Sequence, residues 1–170
     1  ISDMATESRV LSNMSHPNII RLRGIARGPD VPFQRDYFIL VDRLYDTLET
    51  RIRRWKNKDD KLQGGRGALL DWNQSRRRQL WYKRLGYVRD LSRALAHLHD
   101  HHVIHRDLKP DNIGFDIRDE LKVFDLGLAK EIPTTRNVHD TLYNFTSMCG
   151  SPRYMAPEVG TEEAYNELCD

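Results

Sequence analysis

The sequence predicts an α+β fold of two unequal lobes with a cleft between them. Three observations carry this prediction. A helix followed by two short strands opens the chain, a long amphipathic helix fills its middle, and a strand hairpin after that helix leads into a loop with little periodicity.

Taken in order, Met4, Glu7, Val10, Leu11 and Met14 recur at three- and four-residue steps and mark an amphipathic helix. Glu7 lies on the apolar face, where a carboxylate calls for a cation opposite it. A plain solvated helix position is the competing reading. His16-Pro17-Asn18 stops the helix. Residues 19–26 read as a strand, and the apolar run 37–41 as a short buried one.

Leu44, Leu48, Ile52 and Trp55 form a second helical face. The polar stretch of about residues 56–75, with Gly64, Gly65 and Gly67, is predicted to be a surface insertion. Leu80, Leu85, Val88, Leu91, Leu95 and Leu98 make the cleanest helical stripe in the chain. Residues 113–115 and 121–124 read as strands around a polar turn. From Asp125 onward Thr, Ser, Gly and Pro dominate.

Composition narrows the function classes. The 170 residues suffice for one domain with a core, and 39% apolar with 31% charged residues is ordinary for a globular chain. A net charge of +2 gives no argument for nucleic acid or a membrane surface as partner. No apolar run reaches membrane-spanning length, and no signal peptide opens the sequence. Cys149 and Cys169 are too few for a disulfide framework, so a reducing compartment is expected, cytoplasmic or nuclear.

The chemistry concentrates in His105-Arg106-Asp107-Leu108-Lys109-Pro110-Asp111-Asn112. Thirteen residues beyond Asn112 stands Asp125-Leu126-Gly127, and further on Ala156-Pro157-Glu158. The three match, in order, the H-R-D-L-x-x-x-N, D-F-G and A-P-E elements. Through them the chain resembles the eukaryotic protein kinase family, serine/threonine type, over essentially its whole length.

The resemblance implies a kinase-like two-lobed fold. Residues 1–44 would be the end of the small lobe and the hinge. Residues 45–170 would be the first part of the helical large lobe, with a catalytic loop at 105–112 and an activation segment at 125–158. Because the chain opens on Ile1 and ends as another helix begins, it is expected to be truncated at both ends, with the glycine-rich loop and its lysine upstream. Such a piece is expected to be inactive by itself, to fold poorly, and to expose apolar surface beneath Leu95 and Leu98.

The activity implied is transfer of the γ-phosphate of ATP to a Ser/Thr hydroxyl of a protein. That chemistry asks for positioning and charge neutralisation more than covalent catalysis. Asp107 is the implied base, and Lys109 the residue reaching the transferred phosphate. Asn112 and Asp125 are the implied oxygen ligands of Mg2+. Glu7 takes the place of the helix glutamate that pairs with the phosphate-gripping lysine. Val41, Asp42, Arg43 and Leu44 fall at the hinge, where backbone groups contact adenine, and Val41 is the implied gatekeeper. Asp46 is open between a ribose or substrate contact and a helix N-cap.

Arg106 implies pairing with a phosphorylated activation-loop residue. Ser147 is the expected acceptor, with Thr146, Thr141, Thr135 and Thr134 as neighbours, phosphorylated by an activating kinase or by the protein itself. A pseudokinase or docking scaffold is the alternative function.

Several residues depart from the family pattern or invite other readings. Leu126 replaces the usual phenylalanine and is expected to stack with Leu11 and His105. Gly114 stands where many kinases carry a bulky residue under adenine. Ser151 replaces a threonine that contacts the catalytic aspartate. His101, His102 and His105 are not read as a metal site. Arg76, Arg77, Arg78, Lys83 and Arg84 read as a solvated helix face, with docking of an acidic partner as the other reading. Trp55, Trp72 and Trp81 read as packing residues.

Overall fold

The computed structural model describes residues 2–26, 38–63, 74–133, 142–161 and 163–170. The first helix, α1 (Ser2–Asn13), sinks Val10 and Leu11 into the core and brings Met14 against it. At the His16-Pro17 stop, the Ile19 amide bonds the His16 carbonyl at 3.2 Å. On its way to β1 the chain then pairs with the large lobe. Ile20 N–H donates to Val123 O and Val123 N–H to Asn18 O, both at 2.8 Å. Ile19 and Ile20 are therefore spent on that bridge, and the regular strand β1 (Leu22–Ala26) starts later than the apolar pattern suggests.

β1 pairs antiparallel with β2 (Phe38–Val41), with a register shift between Leu22 and Gly24. The expectation of a buried strand here fails. Phe38, Leu40 and Val41 are exposed; among the described residues β1 is the only strand that pairs with β2. An apolar run reports what a strand can bury, not whether something covers it.

A short strand β3 (Asp46–Thr47) leads into α2 (Leu48–Gln63), which extends through residues 56–63 of the predicted insertion. Residues 64–73, with Trp72, lie outside the described residues. Next comes α3 (Ser75–Asp100), whose inward face is Tyr87, Ala94 and Leu98 with Leu91 and Leu95 beside them. The predicted stripe is half right. Leu85 (55% exposed) and Val88 (59%) face outward, as does Trp81 (59%). Leu98 is fully buried, so the exposed apolar surface lies toward the start of α3, not beneath Leu98. Trp55, as expected, packs, stacking on Tyr87 at 6.0 Å between ring centroids.

Strand β4 (Val103–Ile104) precedes the hairpin of β5 (Ile113–Phe115) and β6 (Leu121–Val123). Asp116 Oδ1 shapes the turn by accepting the amides of Arg118 (2.9 Å) and Glu120 (3.0 Å). β3, β5 and β6 form one antiparallel sheet; β4 pairs with β7 (Lys130–Glu131). The short helix α4 (Pro157–Gly160) begins at the end of the expected activation segment. Phe115, Leu121, Val123 and Leu126 form the centre of the core. The result is the expected α+β assembly of helices with antiparallel sheets. No helix among the described residues is long and apolar enough to cross a membrane.

Candidate active site

The β5–β6 hairpin builds the site. Ile113 faces Val123, and one step further out Phe124 N–H bonds Asn112 O at 3.1 Å. Asn112 and Asp125 thereby leave the same end of the hairpin. The turn Pro110–Asn112 returns Asn112 towards Asp107: its Nδ2 donates to Asp107 O and to Asp107 Oδ2, each at 3.0 Å.

Lys109 Nζ closes the triangle, 2.6 Å from Asp107 Oδ2 and 3.0 Å from Ser151 Oγ. Burial alone would push the Asp107 carboxyl up. Hydrogen bonds from Lys109, Ser151 and Asn112, with the Lys109 charge, outweigh burial and hold it below the usual carboxylate range. The same bond to Asp107 raises Lys109. Asp107 Oδ1 is buried and has no hydrogen-bond partner among the described residues.

His105 braces the loop from behind. Its Nδ1 accepts the Asp107 amide at 3.3 Å, so Nε2 carries the proton and donates to Phe124 O at 3.3 Å. No cluster of three metal-ligating His, Cys, Asp or Glu side chains forms among the described residues. Leu126, Leu11 and His105 are all buried, and the two leucines belong to one core cluster.

Asp125 holds a left-handed backbone at φ 62°, the kind of strain that a functional turn tolerates. Its side chain is exposed and within electrostatic reach of Lys109 and Glu7. Glu7, on α1, accepts backbone N–H groups of Leu126 and Asp125. Burial, then the Asp125 charge, raises its pKa despite those bonds. The structure links Asp107, Lys109, Asn112, Asp125 and Glu7 by hydrogen bonds and charge proximity.

A family model of the protein kinase domain matches residues 2–170. The chain belongs to the protein kinase family. It is 32% identical over 167 residues to the human serine/threonine-protein kinase Sgk2, with 98% of this chain and 37% of that protein covered. It is 31% identical over 164 residues to cAMP-dependent protein kinase type 3 of Saccharomyces cerevisiae, covering 96% and 33%. It is 39% identical over 164 residues to the cAMP-dependent protein kinase catalytic subunit of Arthrobotrys oligospora, covering 96% and 25%. The chain spans about a third of the length of the curated relatives it matches.

In this kinase domain the hinge candidates follow directly from the end of β2. Val41, at the end of β2, is exposed and pairs with Leu22. Asp42 N–H bonds Arg21 O at 3.2 Å, and its carboxylate pairs with Arg23 Nε at 2.5 Å. Arg43 lies over the Tyr45 ring. Leu44 forms no backbone hydrogen bond among the described residues. Asp46 is not the N-cap of α2. Its carboxylate is occupied by Arg51 (3.2 Å), Arg54 (2.7 Å) and the Thr47 amide (3.1 Å). Thr47 is the cap of α2, its Oγ1 accepting Thr50 N–H at 3.3 Å.

Arg106, at φ 66°, donates from Nε to Leu128 O at 2.7 Å. Tyr165 then links it to the activation segment, 3.4 Å from Arg106 Nη1 and donating to Thr146 O at 2.9 Å. Ser147, the next residue, is half-buried. Thr134, Thr135 and Thr141 lie outside the described residues. Tyr165 is the functional contact that sequence reasoning missed, since an aromatic in an aperiodic stretch carries no local signal for a partner 59 residues away.

Proposed function

We propose that this protein is an ATP-dependent serine/threonine kinase that moves the γ-phosphoryl group of ATP to a protein hydroxyl. One observation carries the reading: Asp107 keeps Oδ2 tied to Lys109 and Asn112 while buried Oδ1 has no partner among the described residues. Those bonds hold the carboxylate where it would meet a substrate Ser or Thr hydroxyl. As the hydroxyl oxygen bonds phosphorus, its proton passes to the Asp107 carboxylate. The bond from the γ-phosphorus to the bridging oxygen breaks, and ADP leaves with the electron pair. Lys109, raised by its bond to Asp107, stays charged and neutralises the transferred group.

The donor set suits a hard cation. Asn112 Nδ2 is tied to Asp107, so its amide oxygen is the atom left for a metal, and the exposed Asp125 carboxylate leaves the same hairpin end. Magnesium between them would draw charge from the phosphate oxygens. Glu7, raised by burial and by Asp125, is suited to a lysine that grips the α- and β-phosphates. Val41, Asp42 and Leu44 would line the base, and Ser147 would be the regulatory phosphate acceptor beside the Tyr165–Arg106 link.

The test is phosphate transfer from γ-labelled Mg·ATP to Ser- and Thr-containing peptides by the full-length protein. Transfer that falls about a hundredfold or more in Asp107→Asn supports the reading. Nucleotide binding without transfer to any peptide, even after treatment with an activating kinase, points instead to a scaffold.

A further inference from the structure

At Gly114, on β5, an added side chain would meet that of Leu44, which would have to shift; no unusual backbone conformation is involved. The φ of Gly114 lies outside the left-handed region. A Cβ there would sit 2.5 Å from Leu44 Cδ1, 3.2 Å from Cγ and 3.3 Å from Cδ2. The branched end of one side chain therefore rests on the Gly114 backbone. Ile113 and Phe115, its neighbours, are buried in the core, so position 114 faces the other way.

That other face is the one turned to the small lobe. Lys122 stands directly opposite Gly114 on β6, on the same face, and its Nζ bonds Pro17 O at 2.5 Å between α1 and β1. Leu44 is steered there by the residue after it, since Tyr45 N–H is clamped to Phe115 O at 2.9 Å. Asn112 lies two residues along the chain, about 7 Å away at strand spacing. An apolar surface at Leu44 thus lies beside the polar end that would take phosphates.

We propose that the Leu44 side chain, reaching over from the hinge, supplies the apolar floor under the nucleotide base in place of a residue on β5. Leu44 and Gly114 act as an exchanged pair: one gives up its side chain so that the other occupies the same space. This rests on the reading of the cleft as a nucleotide site. It assigns base recognition to a residue that sequence reasoning credits only with backbone contacts.

The experiment measures binding of Mg·ATP and of Mg·tripolyphosphate, which has no base, to the full-length protein. Leu44→Ala should weaken Mg·ATP about tenfold, the scale of losing a large part of one leucine's burial, and leave tripolyphosphate unchanged. Leu44→Met should stay near wild type. Gly114→Leu should weaken Mg·ATP by crowding Leu44, and the double variant Leu44→Ala/Gly114→Leu should recover it. If Leu44→Ala binds Mg·ATP as wild type does, or loses both probes equally, the floor is elsewhere and the proposal fails while the kinase reading stands. A wild-type protein that binds neither probe overturns both. If Gly114→Leu does not fold, the two-probe comparison in Leu44→Ala decides alone.

Discussion

Asp170 grips Arg106 through the backbone: Asp170 Oδ1 accepts the Arg106 amide at 2.8 Å, while Oδ2 takes the His105 amide at 2.7 Å. His99 Nε2 adds a third contact at 3.1 Å. The carboxylate is almost fully buried and spans two successive amides. It holds the turn in which Arg106 adopts a left-handed φ of 66°, a conformation that costs a non-glycine residue about 1 kcal/mol or more. Asp170→Asn turns one acceptor into an NH2 group facing a backbone N–H. The expected loss is about 2 kcal/mol of stability, seen as a lower thermal midpoint, with a fall in phosphate transfer as Asp107 loses its placement. Unchanged melting and unchanged turnover would mean the turn holds itself.

On the proposed reading, the Asp107–Lys109 bond would set an acid limit on phosphate transfer. A carboxylate with its folded pKa below the unfolded value of about 3.9 contributes stability that is complete above that value. The contribution is lost as pH falls through the folded pKa. Asp107 is such a group, and Lys109 is the first of the groups that lower it. Lys109→Met removes the bond and the charge, leaving burial to act. The acid limb of the kcat–pH profile should then move to higher pH, beyond any fall in kcat at the plateau. Ser151→Ala should move it the same way by less. An acid limb that stays put in Lys109→Met means Asp107 does not define it.

These residues were readable because motif spacing states their order, and the hairpin between Asn112 and Asp125 is short enough that pairing dictates their meeting. Exposure on β2 and on the outer face of α3 was not. Periodicity tells which of Leu85, Val88, Leu91 and Leu95 share a face and is silent on what covers it. The N-cap reading of Asp46 failed because Thr47, one residue later, caps α2, while Asp46 turns to Arg51 and Arg54. Leu44 over Gly114 had no signal at all, because the two positions are joined only through β3 and β5.

Gly150 fixes the approach of the activation segment to the catalytic loop. Its φ is +104°, and a Cβ would lie 2.3 Å from the Arg106 carbonyl oxygen. Backbone cannot retreat as a side-chain tip does, so Gly150→Ala must displace one segment. The added cost is about 1–3 kcal/mol, felt locally. We expect faster proteolytic cutting between residues 142 and 156 and lower phosphate transfer. The melting of α3 and the hairpin should be little changed. Cutting rates equal to wild type would show that the contact does not hold the segment.

Arg51 ties three separate parts of the large lobe. Its guanidinium pairs with Asp46 and Asp119, bonds Tyr87 Oη at 2.9 Å, and lies 3.4 Å from the centroid of Phe115. Lys83 joins Asp119 at 2.5 Å. Burial works to raise the Asp119 carboxyl, but bonds from Lys83, Arg51 and Tyr87 bring it down to about 2. Arg51→Met keeps the bulk over Phe115 and removes the charge, leaving the largely buried Asp46 carboxylate with Arg54 and a backbone amide. The expected loss at neutral pH is about 3 kcal/mol, read from denaturant midpoints. Arg51→Lys should recover only part, since an ammonium cannot bridge two carboxylates and a phenol as a planar fork does. The sign with pH follows from the depressed carboxyl. Its contribution is whole above the unfolded pKa of about 3.9 and is lost as pH falls towards 2, so the gap between wild type and Arg51→Met should narrow over that interval. A gap that stays constant from pH 5 down to 2 would assign the Arg51 effect to packing on Phe115 and Tyr87 instead of to its carboxylates.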